Sequence, residues 1–258
     1  GLVFGGSETV TATELYNGTA WTASPGTLNT GRGKASGVGV QTAALNVGGK
    51  ASTTTYAITE EFNGSSWSEV GDLTIAKSYG MAAGTTTAAI QAGGSGSPQA
   101  NAQTYNGTSW TNIASLNLAR TSLMGVGTTT AALVWGGEVP APPYRKKETE
   151  LWNGTSWTEV GDQNTGGINM GSAGTSTSAL AMGGGLDTAP YPVVANVEQW
   201  NGTAWTEVAD LATARANIAG FGTTLLGMAC GGNTSPVQSI TEEWTIPQTA
   251  TNLTVSSS

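Results

Sequence analysis

Tyr16-Asn17-Gly18-Thr19-Ala20-Trp21 is the first of five related phrases in which an aromatic residue and a tryptophan flank a polar turn. The other four span 62–67, 105–110, 152–157 and 200–205. Each phrase is followed by an apolar run that ends in a glycine doublet, whose second members are Gly49, Gly94, Gly137, Gly184 and Gly232. Repeats of about 45 residues are typical of propeller blades, which bury their faces only by stacking on neighbours. The sequence therefore predicts an all-β propeller of four-stranded antiparallel blades.

The segments between these landmarks predict four strands per blade, here called a, b, c and d. Strand a is rich in small residues and suits the innermost position, whereas strand b is apolar and ends at the glycine doublet. Strand c alternates and ends at the aromatic residue. Strand d opens with a tryptophan that we expect to wedge between blades, at Trp21, Trp67, Trp110, Trp157 and Trp205. The Asn-Gly pair between strands c and d predicts a two-residue type I′ hairpin, with positive φ at both residues.

Counting strands gives six b and six c strands but five a and five d strands, so we expect six blades, with five as the alternative. The chain 1–258 is read as one domain whose approximate repeats are 1–47, 48–92, 93–135, 136–182, 183–230 and 231–258. The first blade lacks strand a and the last lacks a standard strand d. The alternating tail Asn252-Leu253-Thr254-Val255-Ser256 is expected to fill one of these gaps and close the ring.

An acid and a base recur at fixed positions and predict an ion pair inside each blade. The acids precede the strand-c aromatic by two residues and are Glu14, Glu60, Glu150, Glu198 and Glu242, with Gln103 as the exception. The bases stand before strand a and are Arg32, Lys77, Arg120 and Arg215, with Gly167 as the exception. Because one acid copied into every blade does not create a single catalytic site, we interpret these pairs as structural.

Composition excludes several classes of function. The net charge of -8 argues against nucleic acid, whose binding depends on a basic footprint. No apolar run approaches the roughly 20 residues of a membrane span. The chain has no histidine, the commonest general base, and no acidic pair stands out, so we expect no enzymatic activity, no cofactor and no metal. The single cysteine, Cys230, is interpreted as a small core residue.

The length of the b–c loops varies far more than any other spacing. From the second glycine of a doublet to the strand-c aromatic it ranges from 10 residues (Gly6 to Tyr16) to 16 (Gly184 to Trp200). Binding groups are usually carried on loops held by a rigid scaffold, so we place the functional face there. The two longest loops are rich in proline and each carries a tyrosine. Together they supply the candidate binding residues, which are Tyr144, Arg145, Lys146, Lys147, Asp187 and Tyr191.

The Gly-Gly ending strand b, the aromatic on strand c, the Trp opening strand d and the Arg before strand a resemble the Kelch repeat. The c–d hairpin is shorter here than in most Kelch repeats. A narrower likeness rests on Thr241-Glu242-Glu243-Trp244, on 105–110 and on Gly127-Thr128-Thr129-Thr130-Ala131-Ala132-Leu133. These phrases are similar to repeats in structural proteins of marine bacteriophages, such as fibre, appendage or decoration components.

The resemblance implies a non-enzymatic virion component, located in the virion or outside the cell, that binds other virion proteins or a host-surface glycan or protein. The alternative is a free, lectin-like carbohydrate-binding propeller. Association of copies through exposed outer strands is a further expectation. Since Gly1 begins inside a repeat without an initiator Met or signal peptide, we also expect the chain to be a fragment or a processed product.

Overall fold

A computed structural model describes residues 1–6, 9–97, 99–186, 192–234 and 238–245. These residues form a six-bladed β-propeller. Four blades have four strands in the order a-b-c-d. Blade 2 contains β4 (Ser36–Val40), β5 (Ala43–Val47), β8 (Thr59–Phe62) and β9 (Trp67–Glu69), and blade 3 contains β10 (Met81–Thr85), β11 (Ala88–Ala92), β12 (Ala102–Tyr105) and β13 (Trp110–Ile113). Blade 4 contains β14 (Met124–Gly127), β15 (Ala132–Trp135), β16 (Thr149–Trp152) and β17 (Trp157–Glu159). Blade 5 contains β18 (Gly171–Thr175), β19 (Ser178–Gly185), β20 (Val193–Trp200) and β21 (Trp205–Glu207).

The first and last blades have three strands each within the described residues, which agrees with the strand count from the sequence. Blade 1 contains β1 (Leu2–Phe4), β2 (Thr13–Tyr16) and β3 (Trp21–Ala23), and blade 6 contains β22 (Ala219–Gly222), β23 (Leu226–Cys230) and β24 (Thr241–Thr245). Blade 1 has strands b, c and d, and blade 6 has strands a, b and c. The tail 252–256, predicted to close the ring, lies outside the described residues. The repeat boundaries drawn from the sequence fall inside blades, because strands a and b of each blade precede the glycine doublet at which the next repeat begins.

Strand a is innermost, as the small residues predict. The five a strands, β4, β10, β14, β18 and β22, stand side by side around the axis. Gly220 shows why size matters there, since a Cβ on it would lie 2.3 Å from the backbone nitrogen of Ser172 in the neighbouring blade. The b strands supply the apolar contacts between blades, and Leu45, Ile90, Leu133 and Leu180 are fully buried.

The strand-d tryptophans join neighbouring blades, which confirms the predicted wedge. The indole of Trp67 donates to the Thr13 hydroxyl of the preceding blade at 2.9 Å, and that of Trp110 donates to Thr59 at 3.1 Å. The indole of Trp21 in blade 1 donates to Thr241 of blade 6 at 3.1 Å. The same contact that joins the interior blades therefore also joins the last blade to the first, which fixes the number of blades at six.

The predicted ion pairs are present in three blades. Arg32 pairs with Glu60, Arg120 with Glu150 and Arg215 with Glu242, and all three guanidinium groups are buried. The predicted type I′ turn is wrong. Residues 17–20 form a four-residue loop in which Gly18 has positive φ and Asn17 does not. The Asn17 side-chain oxygen accepts the N–H groups of Thr19 and Ala20, so this residue stabilises the loop through its side chain.

One short strand pair lies outside the blades. The b–c loop of blade 2 forms a small hairpin of β6 (Lys50–Ala51) and β7 (Thr54–Thr55). Lys50 also pairs with Gly33 just before strand a, so the hairpin is joined to the d–a segment of the same blade. In the described part of the chain no helix is long and apolar enough to cross a membrane.

Candidate functional site

The two ends of the propeller differ in charge. The b–c loops and the d–a segments meet at one end, here called the variable face. Its described residues are 5–6, 9–12, 48–58, 93–97, 99–101, 136–148, 186, 192, 231–234 and 238–240 together with 24–35, 70–80, 114–123, 160–170 and 208–218. All nine Lys and Arg residues of the chain lie in these segments. The opposite end, here called the turn face, consists of the c–d turns 17–20, 63–66, 106–109, 153–156 and 201–204 and the a–b turns 41–42, 86–87, 128–131, 176–177 and 223–225. No turn of the turn face contains a charged residue, so charge is concentrated at the end where loop length varies.

Five residues with left-handed backbone surround the axis at the variable face. They lie just before strand a at corresponding positions and are Lys34, Tyr79, Ser122, Asn169 and Asn217, with φ between 54° and 58°. We call them the channel-mouth ring. Non-glycine residues rarely adopt this conformation, and each such residue costs of order 1–3 kcal/mol unless its surroundings hold it.

Hydrogen bonds between blades hold this strained conformation. The backbone N–H of Tyr79 donates to the Lys34 carbonyl at 2.9 Å, and that of Ser122 donates to Tyr79 at 2.7 Å. Asn169 donates to Ser122 at 3.3 Å, and Asn217 donates to Asn169 at 2.8 Å. The ring is therefore one continuous chain of hydrogen bonds through blades 2 to 6, and it places five side chains of four types at the channel mouth.

The Lys34 side chain spans the sixth position of the ring, where blade 1 has no strand a among the described residues. Its ammonium donates to the side-chain oxygen of Asn217 at 3.3 Å. It also lies 5.6 Å from the centre of the Tyr79 ring, within the range of a cation–π contact. Lys34 is exposed, so the channel mouth presents a positive charge beside an aromatic ring.

A central cavity of about 640 Å³ lies below the channel-mouth ring. It extends along strand a to Val40 and Gly222 near the turn face. The described residues that line it include no Asp, Glu or Cys, and their charged members are Lys34 and Arg32. Arg32 is already paired with Glu60. The available charge in the cavity is therefore positive, which favours a neutral polar or anionic occupant.

Asn46 adds an unsatisfied polar group to the cavity wall. Its side chain is 1% exposed, and neither its amide nitrogen nor its amide oxygen has a hydrogen-bond partner. It lines the cavity on the side of blade 1 where strand a is lacking among the described residues. A buried amide without partners costs about 1–3 kcal/mol, so this position favours an occupant that can both donate and accept hydrogen bonds.

The proline-rich loop of blade 4 is an ordered hairpin on the variable face. Glu138 pairs with Thr121, next to the ring residue Ser122, and also with Arg145. The Val139 N–H donates to the Tyr144 carbonyl at 2.7 Å. Since neighbouring strands are about 4.8 Å apart, Arg145 lies two strand spacings, about 10 Å, from Thr121. Tyr144 is 45% exposed, as a contact residue would be.

The basic residues that follow Tyr144 contact the protein itself. The Lys146 ammonium lies 3.8 Å from a Glu148 carboxylate oxygen, and the Lys147 ammonium donates to the Asn164 carbonyl. The Arg145 guanidinium reaches the next blade, since a Cβ on Gly185 would lie 3.7 Å from it. The contacts of Lys147 and Arg145 join the loop of blade 4 to Asn164 and Gly185 of blade 5. Asp187 and Tyr191 lie outside the described residues.

Sequence reasoning missed the channel-mouth ring, although one signal was available. The residue two positions after the recurring base carries a hydrogen-bonding side chain in blades 2 to 6, and its type changes from Lys to Tyr, Ser and Asn. Among the described residues no three His, Cys, Asp or Glu side chains stand close enough to bind a metal. Cys230 is buried, and this burial raises the pKa of its thiol.

Comparison with known proteins identifies the fold. No family model matches the chain, and no curated protein sequence matches it. The solved structure of YjhT superimposes with a TM-score of 0.77 over 93% of this chain and 90% of that chain, at 12% sequence identity. At this level of identity the likeness concerns the fold alone. The chain is therefore a six-bladed β-propeller.

Proposed function

We propose that the protein is a non-enzymatic adhesion or structural module of a virion, which presents its variable face to a host-surface glycan or protein or to a neighbouring virion protein. The observation that carries the proposal is the segregation of features between the two ends. Variable loop length, every basic side chain and the channel-mouth ring all occur at one end. Specific binding surfaces combine a rigid scaffold with loops of this kind.

Two of the recurring carboxylates serve a structural role, which supports binding over catalysis. The carboxylates of Glu60 and Glu150 are buried and paired with arginine. The cavity wall offers a lysine, a tyrosine and amides but no carboxylate among its described residues. General acid–base catalysis needs a group that can accept a proton near neutral pH, and hydrolysis of glycosides generally needs two carboxylates.

The virion assignment is supported by the wording of the repeats. The recurring Gly-Gly, aromatic, Trp and Arg positions resemble Kelch repeats, and the phrases at 105–110, 127–133 and 241–244 are similar to repeats of bacteriophage structural proteins. An end without charged turns and an end rich in loops also suit a component that is anchored on one side and exposed on the other.

A free carbohydrate-binding propeller is the second candidate. The channel-mouth ring favours it, because Tyr79 with Lys34 provides an aromatic surface beside a cation, and Ser122, Asn169 and Asn217 provide hydrogen-bonding groups. The five positions hold four different residue types, so such a site would be a single one on the axis.

Co-sedimentation separates the two candidates. Particles from the source culture are purified on a density gradient, and the protein is quantified across the fractions by mass spectrometry. The virion proposal predicts that it travels with the particles at a fixed ratio to the major capsid protein, also after a high-salt wash. Recovery only as free protein would contradict the virion role and favour the carbohydrate-binding candidate.

Substitutions at the two ends test which end binds. Tyr144→Ala and Lys34→Ala remove exposed groups of the variable face, and Leu225→Ala removes an exposed side chain of the turn face as the control. The probes are intact host cells and an immobilised glycan panel. We expect at least a tenfold loss of binding for one of the first two variants and none for the control. Loss confined to Leu225→Ala would contradict the assignment of the variable face.

A further inference from the structure

Blade 5 departs from the other blades at two positions that meet in space. Gly167 stands where three other blades have a buried arginine. Gln163 stands where four others have a buried leucine, namely Leu28, Leu73, Leu116 and Leu211. Both residues line one small cavity of about 10 Å³, which is the room of a single water-sized particle.

The missing guanidinium leaves oxygen atoms without their usual donor. In blade 2 the Arg32 guanidinium donates to the carbonyls of Gly48 at 2.6 Å and Asn46 at 3.1 Å and pairs with Glu60. The residues at the corresponding positions in blade 5 are Gly183, Ala181 and Glu198, and all three line the cavity. The groups that surround the Arg32 guanidinium in blade 2 are therefore present in blade 5 without a guanidinium.

The Glu198 carboxylate is buried without a basic partner in contact. It is 3% exposed and accepts the backbone N–H groups of Asn164 at 2.7 Å and Thr165 at 2.8 Å and the side-chain amide of Asn164 at 3.1 Å. No described Lys or Arg approaches its oxygens within 4 Å, and the Lys147 ammonium reaches only the Asn164 carbonyl. Burying a carboxylate without a counter-charge costs several kcal/mol, which a bound cation would offset.

Gln163 supplies an independent sign of a ligand. Its side chain is 3% exposed, and its amide oxygen has no hydrogen-bond partner, although its amide nitrogen contacts the Met170 sulfur at 3.7 Å. A buried polar side chain at a position that packs as leucine elsewhere is costly unless it binds something. The unpartnered atom is an acceptor, as are the carboxylate and the two carbonyl groups.

We propose that this cavity binds one dehydrated sodium ion, held by the Glu198 carboxylate, the Gln163 amide oxygen and the carbonyls of Ala181 and Gly183. Oxygen ligands select hard cations, and calcium sites usually need more carboxylates than the one found here. The ion joins β19 and β20, so it stabilises the blade whose b–c loop is the longest in the sequence.

Thermal unfolding tests the proposal. The Tm of the wild-type protein is measured in sodium chloride and in choline chloride at equal ionic strength. For a site half filled near 10 mM, 150 mM sodium raises the Tm by about 3–6 °C. Equal Tm values in the two salts would overturn the proposal and leave a water molecule in the cavity.

Two variants locate the effect. Gly167→Arg restores the guanidinium of the sister blades, and a Cβ there meets only the Gly185 carbonyl at 3.3 Å among close contacts. We expect this variant to be at least as stable as the wild type and to lose the sodium dependence. Gln163→Leu introduces the leucine that four other blades have at this position, and it should weaken the sodium dependence of the Tm. Sodium-23 line broadening by the wild type, absent with Gly167→Arg, is the second readout, and broadening that both proteins share would contradict the assigned site.

Discussion

The Arg120–Glu150 pair offers the sharpest test of what stabilises a blade. Both side chains are buried, and the guanidinium donates to Glu150 at 3.1 Å and to the carbonyls of Gly136 and Glu148. Arg120→Met leaves the carboxylate with only the N–H groups of Asn117 and Leu118 and leaves both carbonyls unpaired. Breaking a buried pair in this way costs about 3–5 kcal/mol.

Urea unfolding followed by tryptophan fluorescence measures this cost. We expect Arg120→Met to lower the free energy of unfolding by about 3–5 kcal/mol. At about 2–4 °C per kcal/mol for a chain of this size, the Tm falls by about 6–20 °C.

Glu150→Gln should also destabilise the protein, since it leaves the guanidinium buried without its carboxylate, and the double variant should lose less stability than the sum of the two single variants. Glu159→Gln, an exposed acid paired across the strands with Glu150, is the control and should change stability by less than about 0.5 kcal/mol. A loss with Arg120→Met no larger than the control's, or strict additivity in the double variant, would refute the reasoning.

Three further predictions concern packing, pH and backbone conformation. Trp110→Ala removes a buried indole and its hydrogen bond to Thr59, so urea unfolding should show a loss of about 3–5 kcal/mol; a loss below 1 kcal/mol would contradict the blade wedge. Burial lowers the pKa of Lys77 to about 8. The folded protein therefore binds fewer protons than the unfolded chain between about pH 8 and 10.5, and wild-type stability should rise relative to Lys77→Met over that window; parallel pH profiles would argue against it. Gly48→Ala places a Cβ 2.2 Å from the Lys77 carbonyl at φ +62°, so its Tm should fall by several degrees, and an unchanged Tm would contradict the strained geometry.

Repetition made much of the fold predictable. A tryptophan that opens strand d in every blade has to pack in the same way each time, so the sequence predicts the blade interface that Trp67 and Trp110 form. The Arg32–Glu60 pair follows from the same logic, because an acid and a base at fixed repeat positions meet within each blade. The strand count likewise predicts which strands the first and last blades have among the described residues.

Features that depend on local backbone conformation were not predictable from spacing. The Asn17 loop was expected to have positive φ at two residues, but its side-chain hydrogen bonds stabilise a longer loop instead. The channel-mouth ring rests on left-handed lysine, tyrosine, serine and asparagine residues, which propensity disfavours and inter-blade hydrogen bonds impose. Gly167 stands out in the sequence as an exception, whereas only the folded blade shows that it lines the same cavity as Gln163.

Lysine acylation on intact particles tests the central claim most directly, because all five lysines lie on the variable face. Lys34 and Lys147 are exposed, and Lys77 is buried and serves as an internal control. Acylation of each residue is quantified by mass spectrometry with and without bound host cells. The account predicts that Lys34 and Lys147 react on free particles and become protected by at least severalfold when cells bind, while Lys77 stays unreactive. Equal reactivity of Lys34 and Lys147 in both conditions would contradict the claim that the variable face is the binding surface.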